Sequence, residues 1–193
     1  MPRLFTGIEI PAEQREQLAR LRQPLPGLKW VDPENLHITL RFAGDIDNTR
    51  AAELADYLAG ISVNAFEIRL AGLGVFGGKD PRSIWVGLEA GPELDALARA
   101  NERAARAAGL PPESRSFKPH VTVARLKYAR PDAVARLLGR IGAFRSRPFL
   151  AGRFVLFSSR PKVGGGPYVV EDAFPLKGGE FADFHEHEAE GGW

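Results

Sequence analysis

Apolar positions along this chain recur at two periods, and the switches between them outline an alternating series of strands and helices. RLFTGIEI (Arg3 to Ile10) reads as a first strand. Pro11 breaks it and opens a helix, in which AEQREQLARLR places Leu18 and Leu21 at helical spacing. Pro24 and Pro26 end that helix, LKWV is a short extended piece, and DPEN is a turn signal. NLHITLRF (Asn35 to Phe42) alternates as a strand. DIDNTRAAELADYLAGI reads as a second helix, with Asp47 or Asn48 as N-cap and Gly60 near its end. NAFEIRLAGLGVF and RSIWVGLEA follow as strands separated by GGKDP. GPELDALARANERAARAAGL is the clearest helix, with Leu94, Leu97 and Ala98 on one face. After the loop PPESRSF, KPHVTVAR (Lys118 to Arg125) is a strand and RPDAVARLLGRIG a shorter helix. PFLAGRFVLFSSR and PYVVEDAFPL finish as strands around the glycine-rich KVGGGP, and the last residues read as a frayed end.

The order runs strand, helix, strands, helix, and then a similar set again. It predicts a duplicated α+β unit, whose two related strands lie side by side across a pseudo-two-fold axis. At 193 residues and 44% hydrophobic content the chain suits one domain, or two small lobes sharing a core. No window reaches the ~18 unbroken apolar residues of a membrane helix. MPRLFTGIEIPAEQ lacks the features of a signal peptide, and cysteine is absent, which excludes disulfides and thiolate chemistry. A soluble cytoplasmic protein is the default expectation.

Charge changes the picture more. The net +2 conceals an acidic tail, Gly178 to Trp193, with five acids and no lysine or arginine. The rest holds 26 bases against 19 acids, and Ser114 to Val170 holds twelve bases against the single acid Asp132. Twenty of the 26 bases are arginine, whose planar fork suits phosphate oxygens. A merely solvated basic face, in a chain rich in arginine codons, is the bland alternative.

Against that background one pattern stands out. The two strands NLHITLRF and KPHVTVAR each carry His-x-Thr, 83 residues apart, in a chain with only four histidines and four threonines. Chance supplies about 0.1 such triplets in a chain of this composition. Residues i and i+2 share a face of a strand, so His37 and Thr39 point one way while Leu36, Ile38, Leu40 and Phe42 point into a core. His120 and Thr122 likewise oppose Val121 and Val123. A pair of imidazoles supplies an acid and a base near neutral pH. Two threonine hydroxyls, stiff at χ1, supply donors that stabilise charge building on a phosphate. Two histidines with no convincing carboxylate partner make a poor zinc site, so no metal and no cofactor are expected.

At these residues the sequence resembles the 2H phosphoesterase superfamily, and within it the bacterial and archaeal RNA 2',3'-cyclic phosphodiesterases, historically called 2'-5' RNA ligases. The resemblance spans about Arg3 to Lys177 and is carried by RLFTGIEIP, WVDPENLHITLRFAGD, RSIWVGLE, FKPHVTVAR and VLFSSR…PYVVEDAFPL. It implies an α+β, bilobal fold over residues 1–177, with two antiparallel sheets, helices outside and a central cleft, followed by the acidic tail 178–193. It implies metal-independent hydrolysis of an RNA or nucleotide 2',3'-cyclic phosphate to a 2'-phosphomonoester, with ATP-free 2'-5' ligation as the reverse. His120 would be the general base on water and His37 the acid that protonates the departing 3' oxygen. Thr39 and Thr122 would bind the non-bridging oxygens. The motifs themselves allow either assignment of acid and base. Arg125 matches the arginine that closes the family's second motif, although five residues from His120 a regular strand points it to the opposite face. A monomer is expected, with no membrane partner.

Other features carry less. Arg41 shares parity with His37 but is read as facing solvent. Trp30, Phe5 and Trp85 could stack a base, yet aromatics on apolar strands are more often core. GLGVFG meets a G-x-G-x-x-G pattern but leads into no helix, so it is read as a loop. KVGGGP reads as a hairpin connection, and HEHEAE as a solvated acidic end. Two competing functions stay open. One is an RNA-binding protein without turnover. The other is a phosphodiesterase acting on a different substrate, such as a 2'-5' oligonucleotide or an ADP-ribose cyclic phosphate.

Overall fold

The alternation resolves into nine strands and four helices among the residues that the computed structural model describes, 3–159 and 167–179. In chain order they are β1 (Arg3–Glu9), α1 (Ala12–Ala19), β2 (Leu28–Trp30), β3 (His37–Asp45), α2 (Asn48–Ala59), β4 (Phe66–Phe76), β5 (Ser83–Ala90), α3 (Pro92–Ala107), β6 (Val121–Leu126), α4 (Pro131–Ile141), β7 (Phe149–Ala151), β8 (Arg153–Ser159) and β9 (Val169–Pro175). A 3₁₀ turn, Pro33–Asn35, leads into β3. The N-cap of α2 is Asp47, whose side chain accepts from the Arg50 N–H at 2.8 Å. Proline occupies the first turn of α3 and α4, where its missing N–H costs nothing. Helix α1 stops at Ala19, short of the predicted Arg22. There the chain turns toward Pro24, and Arg22 Nη2 donates to the Val31 carbonyl at 2.7 Å.

All strands join one sheet in the order β7-β4-β5-β6-β3-β1-β8-β9, with β2 sharing the edge of β6 that meets β3. Every strand pairing in it is antiparallel. The two antiparallel sheets expected are the two halves of this one curled sheet, and they meet through a single register pair, Ile38 with Val121. Both of those side chains are fully buried. A one-pair seam leaves the strands free to diverge on either side, and the sheet opens as a cleft on the face away from its core.

Helices cover the other face. Helices α2 and α3 pack on each other and on β9 and β3, while α4 lies against β4. Buried Gln14 of α1 donates to the Arg147 carbonyl, so α1 sits with the β4 half although it follows β1. Helix α3 makes the reciprocal exchange, following β5 of one half and packing on β3 of the other. The crossovers interlock the halves around one continuous core, which includes Ile38, Leu70, Ile84, Val86, Leu97, Val121 and Leu137.

Two expectations fail here. Phe42 is 45% exposed rather than buried with Ile38 and Leu40. The β1–β3 ladder slips twice, pairing Gly7 with Thr39 but Thr6 with Arg41, and Phe5 with Phe42 but Leu4 with Gly44. Each slip inserts a residue in β3 and resets the alternation beyond Leu40. GLGVFG is not a loop. Gly72 and Gly74 lie within β4, where a Cβ on Gly74 would sit 2.1 Å from the Trp85 ring, so that glycine makes the seat on which the indole lies. KVGGGP, apart from Pro167, and HEHEAE fall outside the described residues.

Candidate active site

His37 opens β3 and His120 immediately precedes β6, so both rings stand beside the Ile38–Val121 seam. Continued antiparallel register would set His37 opposite Thr122 and Thr39 opposite His120. The fold thereby gathers both histidines and both threonines around one point, and all four line a single cleft of about 1300 Å³.

Each imidazole is fixed in the same way. His37 Nδ1 lies 2.7 Å from the Asn35 carbonyl, and His120 Nδ1 lies 2.6 Å from the Lys118 carbonyl. A carbonyl only accepts, so Nδ1 carries the proton in both rings and Nε2 is the basic nitrogen of the neutral form. The anchoring carbonyl belongs to the residue two positions before the histidine in each case. His37 Nε2 is 3.1 Å from Thr39 Oγ1, and the hydroxyl donates to it while the ring is neutral.

The surroundings differ. His37 sits in an aromatic box of Phe5 (5.0 Å between ring centres), Tyr168 edge-on (5.1 Å) and Phe157 (5.6 Å). Burial there lowers its pKa below the ordinary histidine value. The Asn35 hydrogen bond opposes the shift, and the positive charges of Arg125 and His120 add to it. Among the described residues the rings against His120 are Phe76, edge-on at 5.0 Å, and Trp85 at 6.4 Å.

Arg125 lines the cleft, against the regular-strand expectation. The β5–β6 ladder pairs Trp85 with Thr122 but Ile84 with Ala124, leaving an extra residue, Val123, in β6. Past this bulge Arg125 pairs with Ser83, and Ser83 and Trp85 share a face of β5. Thr122 and Arg125 therefore emerge on one side. Arg41 also departs from expectation. Its side chain is only 10% exposed, its Nε donates to Glu102 of α3, and its Nη2 donates to the Pro111 carbonyl. Glu102 in turn accepts from the Glu113 N–H at 3.1 Å. Arg41 thus ties the His37 strand to the segment that leads into His120.

Of the aromatic candidates, Trp30 packs on the main core and donates Nε1–H to the Gln23 carbonyl at 2.9 Å. Phe5 is buried in a separate cluster with Val155 and Phe157 beneath His37. Trp85 backs His120. Sequence reasoning missed Asn35, whose side chain accepts from the Tyr168 N–H at 3.2 Å while its carbonyl holds His37. It also missed Tyr168, Phe76 and Glu102. A carbonyl two residues before a histidine leaves no side-chain signature, and the aromatics come from strands distant in sequence. Among the described residues, no three His, Cys, Asp or Glu converge on a point that would hold a metal ion. None of the described helices is long and apolar enough to cross a membrane.

A family model for LigT-like phosphoesterases matches the chain twice, over residues 8–85 and 86–168, and each match holds one His-x-Thr. The RNA 2',3'-cyclic phosphodiesterase of Aeropyrum pernix is 43% identical over 133 residues, covering 65% of this chain and 76% of that protein. The Thermotoga maritima protein of the same name is 30% identical over 184 residues, 92% of this chain and 97% of its own. In structure, the chain is similar to Escherichia coli LigT complexed with 3'-AMP, at TM-score 0.73 and 26% identity over 91% of this chain and 99% of that one.

Proposed function

The chain belongs to the LigT-like phosphoesterase family, and from that premise we propose that it opens RNA 2',3'-cyclic phosphates by acid–base catalysis between His37 and His120. It is an enzyme of the RNA 2',3'-cyclic phosphodiesterase type. The observation that carries the mechanism is the pair of carbonyl-anchored imidazoles flanking the Ile38–Val121 seam in one cleft.

Water attacks phosphorus while His120 Nε2 takes its proton. The bond from phosphorus to the 3' oxygen breaks, and that oxygen receives the Nε2 proton of His37, leaving a 2'-phosphomonoester. His37 must therefore enter protonated. Its burial makes the imidazolium a strong acid, and the phosphate's negative charge offsets the loss of solvation once substrate is bound. Thr39, Thr122 and Arg125 donate to the non-bridging oxygens as charge grows on them. No step calls on a metal ion. With the 5'-hydroxyl of a second RNA in place of water, the same ring opening yields a 2'-5' linkage.

The test is turnover of a 2',3'-cyclic mononucleotide by chelator-treated protein, with the product identified as the 2' or 3' phosphomonoester. Hydrolysis to the 2' product that vanishes in His37→Ala and in His120→Ala supports the mechanism. Undiminished activity in either variant, or activity restored only by added metal, overturns it.

A further inference from the structure

Strand β6 does not end at the cleft. Past Thr122 and Arg125, just beyond the strand's end at Leu126, comes Lys127, whose N–H donates to the Gly27 carbonyl at 2.8 Å; Arg125 and Lys127 are exposed while Leu126 between them is buried, so the two cations stand on the open side. Lys29 of β2 pairs directly with Arg125 and is exposed too, placing a third cation on that face. Among the described residues no acid joins Lys29, Arg125 or Lys127 in a salt bridge; the neighbouring Arg82 and Arg130 are paired with Asp80 and Asp132. At the end of this row stands Tyr128, which is 90% exposed.

Tyr128 is held there against its own preference. Its φ of 56° lies in the left-handed region, uncommon for a bulky residue and, among the described residues, found otherwise only at glycines. The Lys127 ammonium lies 5.5 Å from the ring centre, on one side of the ring. An exposed aromatic backed by a lysine, at the end of a cationic strand that begins at the reacting phosphate, combines the two parts of a single-strand nucleic-acid track. Those parts are backbone neutralisation and a stacking platform.

We propose that the β2–β6 face carries the RNA body on the 5' side of the cyclic phosphate, with Lys29 and Lys127 meeting successive phosphates and a base stacking on the open face of Tyr128. The inference rests on the reading of the cleft given above. From His120 to Tyr128 the span is up to about 26 Å at strand spacing, so the track needs an RNA of about four nucleotides or more to be filled. The enzyme is then built for the ends of RNA chains rather than for free cyclic nucleotides.

The experiment compares kcat/KM for a 2',3'-cyclic mononucleotide with that for single-stranded oligonucleotides of two to eight residues ending in a 2',3'-cyclic phosphate. The expected result is a rise with length that levels off near four to six nucleotides and shrinks as salt increases. Tyr128→Asn tolerates the backbone angle but removes the ring. It should lower kcat/KM about tenfold for the longer oligonucleotides, with Tyr128→Phe retaining the wild-type value. Lys29→Ala and Lys127→Ala should flatten the salt dependence. Turnover of the cyclic mononucleotide should be unchanged in all four variants, which also shows that they fold. Equal efficiency on mononucleotide and oligonucleotide, or a loss in Tyr128→Asn of the same size on both, overturns the track. Equal efficiency is also the result expected if this face docks a protein. Failure of the wild type on every cyclic phosphate overturns the underlying reading instead.

Discussion

His37 and His120 hang from the main chain by the same bond, two residues back, and both are half-buried, yet one is boxed by three aromatic rings and the other meets two. His37 is boxed by Phe5, Phe157 and Tyr168 and touches Thr39, and its pKa is depressed. His120 leans edge-on against Phe76, and among the described residues no hydrogen-bond partner meets its Nε2. A duplicated motif supplies two equal imidazoles. Unequal shells make one a better proton donor and leave the other open to an incoming water. The asymmetry arises from the rings packed around each histidine, not from the motif.

The largest test of this comparison removes the rings. His37→Ala and His120→Ala should each lower kcat by about 10²–10⁴-fold in single-turnover hydrolysis. The double variant should fall little further, because an acid–base pair works as a unit. Losses that multiply would mean two independent roles. Next come the hydroxyls: Thr39→Val and Thr122→Val should each cost about 10²-fold in kcat, the scale of one oxyanion donor. A loss confined to one strand would break the symmetry of phosphate binding.

The bridge between the two regions is a stability question. Arg41, with its side chain 10% exposed, pairs with Glu102 at 28% exposure. Arg41→Ala leaves that carboxylate short of its partner and should lower stability by about 2 kcal/mol, read as a shifted urea midpoint. An unchanged midpoint would mean that the two motif strands hold their positions without it.

Smaller effects sharpen the acid and base roles. Arg125 depresses the His37 pKa, so Arg125→Ala should raise it. If His37 is the acid, the alkaline limb of the pH–rate profile moves up. If the roles are reversed, the acidic limb moves up instead. The slightest effect is on stability. With its folded pKa below the unfolded value of ~6.5, His37 binds a proton more readily in the unfolded chain. Stability is therefore full above ~6.5 and declines as pH falls through the window down to the folded pKa. His37→Phe should flatten that slope in urea titrations between pH 7 and 5.

The strands, the helix faces and the shared parity of His-x-Thr were all legible, because they follow from periods of 2 and 3.6 residues within one segment. Arg125 was not: its face depends on the Val123 bulge, which exists only because β6 must pair with β5. Phe42 was misread for the same reason on β3, where pairing with β1 inserts two residues. Arg41 was read as solvated because nothing in LRFAG announces that α3 will bring Glu102 to it.

Sequence alone determined that this chain carries two matched imidazole–hydroxyl faces on amphipathic strands, since side-chain direction along a strand is a local property. Only the tertiary structure decided that the two faces meet at one pair of residues, that a bulge turns Arg125 inward, and that one histidine is boxed by more aromatic rings than its twin. Those facts depend on register and on contacts between segments far apart in the chain, and no local period encodes them.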